Sequence, residues 1–321
     1  MKLSVSLGYW QDRPPEEALL TAAAAERHGY EELWLGEMAT YDVFALATAV
    51  ALRTRSIPLT VGPLAVAVRD PMTIARGVAS VAALTGRRVD VAIGSSSPIV
   101  VEQWHGRSHR RSGVALRESA TALRQLLDGE RATAAGEVVR SSGFRLRLPA
   151  PKSQLTVAAF GPAAVRTAAA LADRMVLNLL TPASAATLIG RMRAEAGALG
   201  RPSPRVAAWV TAAVDPSPAA VEQLRRGVVG YLAAPGYAEM FVEAGFGEVV
   251  EFARSRPHPR ELLAAVPAEL MAAVGLVGDP DAVRARLAEY AAAGVDEIAV
   301  VASSTDADPG GERTLALLRD R

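Results

Sequence analysis

Short apolar runs rich in β-branched residues alternate along the chain with longer, alanine-rich amphipathic stretches. This order is typical of repeated strand–helix units around a parallel sheet. The predicted strands are Leu3–Tyr9, Glu32–Gly36, Ile57–Gly62, Val89–Gly94, Leu155–Phe160, Met175–Leu180, Arg205–Val214 and Glu297–Ala302. Eight strands close a barrel of about 250 residues, and insertions account for the rest of the 321 residues. We therefore predict an α/β fold, a (β/α)8 TIM barrel.

Two segments depart from the alternation. Residues 131–148 show short alternating stretches around Ser141-Ser142-Gly143, which predicts a β-hairpin inserted after the fourth unit. Residues 219–273 are longer than one helix and contain several prolines and glycines, which predicts a multi-helix insertion before the last strand. Neither segment has the size of an independent domain, so residues 1–321 are expected to form a single domain.

The boundaries of several helices can be predicted from capping residues. Asp279-Pro280 is an N-cap followed by proline at the first helical position, and Gly294 is the glycine expected after the last turn. The segments Glu16–His28 and Pro71–Leu84 show the same pattern, each with a glycine close behind it.

Composition excludes several classes of site. The chain has no cysteine, so disulfide scaffolds, zinc ribbons, iron–sulfur clusters and thiol nucleophiles are ruled out. A net charge of +1 shows no chain-wide preference for nucleic acid or an anionic membrane. The amino-terminal residues meet Gln11, Asp12 and Arg13 before a signal-length apolar core develops. We expect a soluble, cytoplasmic protein that binds neither nucleic acid nor a membrane.

Barrel active sites lie at the carboxyl ends of the strands, so the residues after each predicted strand are the candidates. These positions are mostly aromatic, small or hydroxyl-bearing, with few strong acids, bases or nucleophiles among them: Tyr9, Trp10, Glu37, Met38, Tyr41, Pro63, Leu64, Ala65, Ser95, Ser96, Ser97, Gly161, Pro162, Asn178, Thr181, Ser303 and Ser304. Dinucleotide, P-loop and nucleophile-elbow motifs are absent from the sequence. A site with so few ionisable groups suits a cofactor that brings its own chemistry.

Two strand-to-helix turns could bind a phosphate. Gly94-Ser95-Ser96-Ser97-Pro98 offers hydroxyls and backbone N–H groups at the start of a helix. Gly161-Pro162-Ala163-Ala164 has proline at the first helical position and no bulky side chain to obstruct an anion. Each turn could equally be an ordinary helix cap, and the presence of two favours binding.

At this point the residues resemble a known family. Ala25–Glu37 (AERHGYEELWLGE), Arg69-Asp70-Pro71 and Gly86–Gly94 (GRRVDVAIG) resemble units of the bacterial luciferase-like monooxygenases. Ser95–Gly106 (SSSPIVVEQWHG), the most specific match, is similar to the branch that uses the deazaflavin coenzyme F420, as is Gly161-Pro162 with Ala172-Asp173. Val277–Pro280 and Gly294–Asp296 extend the likeness over essentially the whole chain.

The resemblance implies a homodimeric barrel with the deazaflavin ring across its mouth. In that family a bulge in strand three, often with a non-prolyl cis peptide, backs the ring, and the matching positions are Leu64 and Ala65. The phosphate-bearing linker would then lie against Ser95–Ser97 and the helix start at Gly161. The cofactor-binding residues that the resemblance implies are Leu64, Ala65, Gly94, Ser95, Ser96, Ser97, Val100, Gly161, Pro162, Ala163 and Ala164.

Two positions differ from alcohol- and sugar-phosphate-oxidising relatives. Glu37-Met38 stands where those relatives carry an Asp-His pair, and Ser97 aligns roughly with a glutamate. Both changes remove acid–base groups that alcohol oxidation would use, so hydride delivery from reduced coenzyme to an electron-poor carbon fits better. Glu37 is the candidate catalytic residue, as proton donor or substrate anchor; the alternative is that it pairs with a neighbouring arginine or backbone group.

The expected substrate pocket is neutral. Its predicted lining is Tyr9, Trp10, Met38, Tyr41, Asn178 and Thr181 with the 219–273 insertion, which disfavours a sugar phosphate. The predicted function is therefore an F420-dependent oxidoreductase, more specifically a reductase of a small organic substrate. The alternatives are an FMN-dependent monooxygenase of the same superfamily and a barrel that binds a ligand without catalysis.

Residues 105–111 form a cationic loop, His105-Gly106-Arg107-Ser108-His109-Arg110-Arg111. The two histidines are four residues apart, but no third ligand lies nearby and the arginines would repel a metal ion, so no metal site is expected. Guanidinium groups suit carboxylates, and this loop is a candidate for holding the oligoglutamate tail of the coenzyme. The alternative is a solvated surface loop.

Overall fold

A computed structural model describes residues 1–7 and 9–319; Gly8, inside the first predicted strand, and residues 320–321 lie outside the described residues. The strands of the described part are β1 (Lys2–Leu7), β2 (Leu33–Leu35), β3 (Leu59–Ala65), β4 (Val89–Gly94), β5 (Ala132–Ala135), β6 (Arg140–Phe144), β7 (Leu155–Ala158), β8 (Arg174–Asn178), β9 (Arg205–Val214), β10 (Leu276–Gly278) and β11 (Glu297–Ala302).

The helices between them complete the element order. They are α1 (Glu17–Arg27), α2 (Val43–Arg53), α3 (Pro71–Thr85), α4 (Ser112–Leu127), α5 (Pro162–Leu171), α6 (Pro182–Ala198), α7 (Pro218–Val229), α8 (Tyr237–Glu243), α9 (Gly247–Arg254), α10 (Pro259–Ala265), α11 (Ala268–Val274), α12 (Pro280–Ala292) and α13 (Glu312–Arg319). A short π-helix, Ile99–Trp104, follows β4, and a 3-10 turn, Pro309–Gly311, precedes α13.

The predicted (β/α)8 barrel is confirmed. Strands β1, β2, β3, β4, β7, β8, β9 and β11 pair in parallel, and the pairing of β8 with β9 and of β11 with β1 closes the ring. The predicted strands Val89–Gly94, Arg205–Val214 and Glu297–Ala302 agree with the structure residue for residue. Among the described residues, no helix is long and apolar enough to cross a membrane.

Alternation along the strands separates a core outside the barrel from the barrel interior. Leu3, Val5 and Leu7 of β1 belong to the large cluster of buried residues that includes apolar residues of the surrounding helices. Trp34 and Trp209 belong to a second, smaller cluster inside the barrel. Trp34 lies between the amino-terminal end of the interior, which is charged, and the carboxyl end, which is open. The two ends therefore differ in chemistry.

The amino-terminal end of the interior is filled by charged groups. Arg174 donates to Glu32 at 2.9 Å and to Glu297 at 2.7 Å, and Lys2 pairs with both carboxylates. The Arg174 guanidinium lies 4.2 Å from the ring centroid of Trp34. Each of these charges is paired with an opposite charge. We call this layer the charged floor of the barrel.

The hairpin turn differs from its prediction. β5 and β6 pair antiparallel, but Ser141-Ser142-Gly143 lies within β6, and the turn closes where Gly136 N donates to Val139 O. The carboxylate of Glu118, on α4, accepts from the backbone N–H groups of Glu137, Val138 and Val139. This contact from the preceding helix stabilises the turn at these residues, and it leaves no signal in the hairpin's own sequence.

Helices α7 to α11 follow β9, in the part of the chain where a multi-helix segment was predicted. The structure adds one strand that the hydrophobic pattern did not indicate, β10, which pairs in parallel with the end of β9. β10 has three residues, too few to show a periodicity. The predicted α12 is confirmed, since the Asp279 side chain accepts from Ala282 N at 2.8 Å.

Candidate active site

Small residues face inward near the carboxyl end of the barrel and leave room above the tryptophan layer. A Cβ added to Gly94 would lie 3.2 Å from the Cβ of Ala158, and one added to Gly36 would lie 3.4 Å from the Trp209 ring. Larger side chains at these positions would fill the mouth from both sides. The mouth is therefore an open cradle above a layer of aromatic side chains.

One side of the cradle is a bulge in β3. The register between β3 and β4 shifts between Val61 and Leu64, after which Leu64 pairs with Ile93 and Ala65 with Gly94. The cis peptide bond of this bulge is Gly62-Pro63. The resemblance implied a bulge at Leu64 and Ala65, and the irregular residues are the Gly62-Pro63 pair immediately before them.

Gly62 is required at the bulge. Its φ is +107°, and an added Cβ would lie 2.2 Å from the carbonyl oxygen of Ala92. Side-chain-bearing residues rarely adopt this conformation, and the backbone of the neighbouring strand leaves no space for one. The close approach of β3 to β4 thus depends on this single glycine.

Below the mouth, aromatic side chains form a series of edge-to-face contacts. Trp34 and Trp209 have ring centroids 5.9 Å apart, Trp209 and Tyr9 are 6.3 Å apart, and Tyr9 and Trp10 are 4.9 Å apart. In the described part of the chain, the Trp209 indole N–H and the Ser6 hydroxyl are buried without a hydrogen-bond partner. Buried polar groups are normally paired, so these two atoms are consistent with a site that a ligand or water completes.

A second aromatic group covers the mouth from the segment between α7 and α8. Tyr237 stacks on Phe160 at 4.4 Å, and its hydroxyl donates to the carbonyl oxygen of Asn178 at 3.1 Å. Tyr231 lies edge-on to Tyr237, with ring centroids 4.9 Å apart. Burial and the neighbouring tyrosines raise the pKa of Tyr9 well above its usual range, so its hydroxyl stays protonated.

Sequence reasoning assigned this cover to the long insertion without naming its residues. The available signal was the repeated dipeptide Gly230-Tyr231 and Gly236-Tyr237. Gly236 has a φ of +84°, and a Cβ there would lie 2.3 Å from the Phe160 ring. The second glycine therefore lets the chain turn directly over the ring of Phe160, which follows β7.

Glu37 is held by an arginine that sequence reasoning did not select. Arg69 Nε donates to Glu37 Oε2 at 2.7 Å, the Arg69 Nη2 group contacts both Glu37 and Asp42, and Val43 N donates to Glu37 Oε1 at 3.2 Å. Arg69 also lies over the ring of Phe44, 5.4 Å from its centroid. Glu37 is thus a carboxylate paired with an arginine and a backbone N–H, which was the alternative to its role as a catalytic residue.

The structure brings together part of the predicted substrate pocket. Tyr9, Trp10 and Tyr41 line a cavity of about 40 Å³ beside β1, together with Ser6. Met38 and Thr181 do not line it: Met38 is exposed, and the Thr181 hydroxyl accepts from Ser184 N at 3.1 Å as the N-cap of α6. Asn178 contributes its backbone carbonyl, which accepts from Tyr237.

The two predicted phosphate turns lie side by side, because β4 and β7 are hydrogen-bonded neighbours. Ser96 adopts a φ of +59°, and the Ser97 hydroxyl accepts from Val100 N at 3.3 Å. A Cβ on Gly161 would meet no atom within 4 Å, so the start of α5 at Pro162, Ala163 and Ala164 is open. A cofactor linker could therefore approach α5 without displacing a side chain.

The cationic loop lies beside these turns. Its His109 Nε2 is 3.1 Å from the carbonyl oxygen of Ser96, and Arg111 pairs with Glu137 of the hairpin turn. Over the ranges 1–7 and 9–319, no group of three histidine, aspartate, glutamate or cysteine residues could hold a metal ion. The loop is thus tied to the Ser95–Ser97 turn on one side and to the hairpin on the other.

Comparisons with known proteins show the family and the fold. The family model described as luciferase-like monooxygenase matches residues 2–297. A Mycobacterium tuberculosis protein named, provisionally, coenzyme F420-dependent oxidoreductase is 26% identical, with 95% of this chain and 96% of that protein covered.

Solved structures share the fold. The coenzyme F420-dependent tetrahydromethanopterin reductase of Methanopyrus kandleri superposes with a TM-score of 0.84 at 20% identity, covering 100% of this chain and 98% of that one. The oxygenating constituent of 3,6-diketocamphane monooxygenase from Pseudomonas putida, in complex with FMN, gives a TM-score of 0.72 at 17% identity, covering 100% and 97%.

Proposed function

Because the chain belongs to the luciferase-like monooxygenase family, we propose that it is an F420-dependent oxidoreductase that reduces a small organic substrate. The observation that carries this proposal is the neutral, aromatic mouth, in which the predicted acid Glu37 is already held by Arg69. The similarity to a protein named for coenzyme F420 supports the choice of cofactor.

The residues at the mouth fit a deazaflavin. The β3 bulge with Leu64 and Ala65 would back the ring, and Gly94–Ser97, Val100 and the open helix start at Gly161–Ala164 would hold the phosphate-bearing linker. A helix start with free N–H groups favours an anion. When bound, the reduced deazaflavin supplies the hydride, and the protein has to orient the substrate and provide one proton.

The tyrosine pair is the best placed source of that proton. Tyr9 keeps its hydroxyl proton, and Tyr231 is an electrostatic neighbour of Tyr9, so either hydroxyl could donate a proton to a substrate atom. The Tyr231 ring lies edge-on to Tyr237, which stacks on Phe160. Glu37 then acts as a substrate anchor and fixes Arg69, and it need not exchange a proton.

Oxidation of reduced F420 tests the proposal. Imines, enones and quinones are offered as acceptors, and the loss of reduced coenzyme is followed by its absorbance. Turnover of at least one class that stops when the protein is omitted supports a reductase. Turnover of alcohols with oxidised coenzyme, and of no acceptor with reduced coenzyme, would contradict it.

A second candidate function is an FMN-dependent monooxygenase. The fold shared with the FMN complex from Pseudomonas putida favours keeping it, since the same barrel accommodates that flavin. The two functions differ in chemistry, because a monooxygenase consumes oxygen. Oxygen uptake with reduced FMN would support the second candidate.

A further inference from the structure

A crevice of about 410 Å³ opens beside the predicted linker site, outside the aromatic mouth. Three segments form its walls: the loop after β3 at residues 66–72, the cationic loop with the first turns of α4, and the hairpin turn at residues 138–140. Ser95, in the predicted linker turn, also lines it. An extended ligand group leaving that turn would therefore pass directly into the crevice.

The crevice carries an excess of positive charge. Its lining contains three guanidinium groups, those of Arg107, Arg110 and Arg140, and one carboxylate, that of Asp70. In the part of the chain that the structure describes, none of the three arginines forms an ion pair. The guanidinium group of Arg140 has a neutral partner, since its Nε donates to the carbonyl oxygen of Gly136 at 3.2 Å.

The single carboxylate does not neutralise them. Asp70 is the N-cap of α3, where it accepts from Thr73 N at 3.0 Å and from the Thr73 hydroxyl at 2.7 Å. Burial opposes its ionisation, but these hydrogen bonds outweigh burial and lower the pKa of Asp70. Its oxygens are already engaged, and among the described residues none of the three guanidinium groups is paired with a carboxylate.

Arg111 shows the contrast. It belongs to the same cationic loop and carries the same charge, but its guanidinium pairs with Glu137, and it does not line the crevice. Arg140 comes from the hairpin, and the sequence analysis did not select it as a site residue. The structure thus selects Arg107, Arg110 and Arg140 as one group and separates Arg111 from it.

We propose that this crevice binds an oligocarboxylate chain, and that the chain is the oligoglutamate tail of the bound coenzyme. The proposal rests on the proposed function for the identity of the coenzyme. Guanidinium forks match carboxylates, and the hydroxyl of Ser108 adds a neutral donor to the lining. The volume exceeds the ~30 Å³ share of one water molecule many times, so several polar groups fit.

The test compares coenzyme forms that differ in tail length. The dissociation constants of F420 with several glutamates and of its glutamate-free form are measured by fluorescence titration. The proteins are the wild type, the triple variant Arg107→Ala, Arg110→Ala, Arg140→Ala, and the matched control Arg111→Ala. Thermal melting of each protein establishes that it is folded.

The triple variant should bind the long-tailed form about 10-fold more weakly, because three solvated ion pairs of modest strength are lost together. Its affinity for the glutamate-free form should change less than about 2-fold, and Arg111→Ala should leave both unchanged. Added salt should reduce the advantage of the long tail in the wild type and not in the triple variant. Equal losses for both forms, or an equal effect of Arg111→Ala, would overturn the proposal.

Free tetraglutamate separates the two sources of an oligocarboxylate. Competition of tetraglutamate with the long-tailed form alone, lost in the triple variant, supports the tail assignment. Tetraglutamate binding that depends on Arg140 while both coenzyme forms bind equally would contradict the tail and point to a separate acidic ligand. A wild type that binds neither coenzyme form, nor FMN in its place, would contradict the proposed function itself, and tetraglutamate binding would still test the crevice.

Discussion

At the scale of single residues, the site depends on how each polar side chain is already engaged. Glu37 follows β2, where a catalytic acid was expected, and the sequence could indicate its position because strand ends are visible in the hydrophobic pattern. Its partner Arg69 is 32 residues away along the chain, so no local spacing pointed to the ion pair. The same holds for Tyr231, which neighbours Tyr9 although the two residues are far apart along the chain.

Replacing Glu37 by glutamine should destabilise the fold. The partly buried pair with Arg69 loses its charge-assisted hydrogen bonds, so the free energy of unfolding should fall by about 1–3 kcal/mol. Urea unfolding measures this, with the exposed Glu16→Gln as a control for the loss of one acidic charge. If the pair contributed nothing to stability, the two variants would have the same free energy of unfolding.

Tyr231→Phe should slow reduction of any acceptor that needs a proton. Loss of a positioned general acid costs about 100-fold or more in rate, and a water molecule can replace part of the function, so a decrease of about 10- to 100-fold in kcat is expected. Tyr237→Phe is the matched control, because its hydroxyl already donates to the Asn178 carbonyl. Equal effects on kcat would assign both tyrosines a structural role.

At the scale of elements, long strands and well-capped helices follow from sequence, and elements set by distant contacts do not. β9 and β11 have long apolar runs and match their predicted limits. β10 is too short for a pattern, and the hairpin turn is placed by Glu118 of α4. The β3 bulge was expected at Leu64 and Ala65, whereas its irregular backbone lies immediately before them, at Gly62-Pro63.

Gly62→Ala should strongly destabilise the barrel. The added Cβ would collide with the backbone of β4, and the positive φ adds strain, so a loss of about 3 kcal/mol or more is expected. Gly86→Ala is the control, since Gly86 also has a positive φ, +67°, but an added Cβ would meet no atom within 4 Å. It should lose only about 1 kcal/mol. Chemical denaturation compares them, and equal losses would show that the contact with Ala92 is unimportant.

At the scale of the whole molecule, the barrel has a charged floor and a neutral mouth. Sequence reasoning found the closed barrel from eight strands, and the structure confirms it. The floor could not be predicted, because Lys2, Glu32, Arg174 and Glu297 come from four strands and meet only when the ring closes. The homodimer and the cytoplasmic location stay predictions.

Acid should destabilise the barrel by protonating Glu32 in the charged floor. Burial opposes ionisation of Glu32, but Arg174 and Lys2 outweigh it and lower the pKa of Glu32 from 4.5 to about 2. A carboxylate with a lowered pKa stabilises the fold above its unfolded-state pKa, and this contribution is lost as pH falls towards 2. The free energy of unfolding should therefore decrease by about 2–3 kcal/mol between pH 5 and pH 2 from this residue.

Urea unfolding across this pH range measures the effect, with Arg174→Met as the comparison. That variant leaves the two carboxylates without their main partner, so it should be less stable at pH 7 by about 3 kcal/mol or more. Its stability should also depend less on pH between 5 and 2. An unchanged pH dependence in Arg174→Met would show that the acid sensitivity arises elsewhere.

The central claim, that the mouth holds a deazaflavin, is tested most directly by titrating the purified wild-type protein with coenzyme F420 and with FMN in parallel. Tight binding of F420 without uptake of FMN is the predicted result. Uptake of FMN without binding of F420 would contradict the claim in favour of a monooxygenase, and binding of neither would contradict it in favour of a barrel without cofactor chemistry.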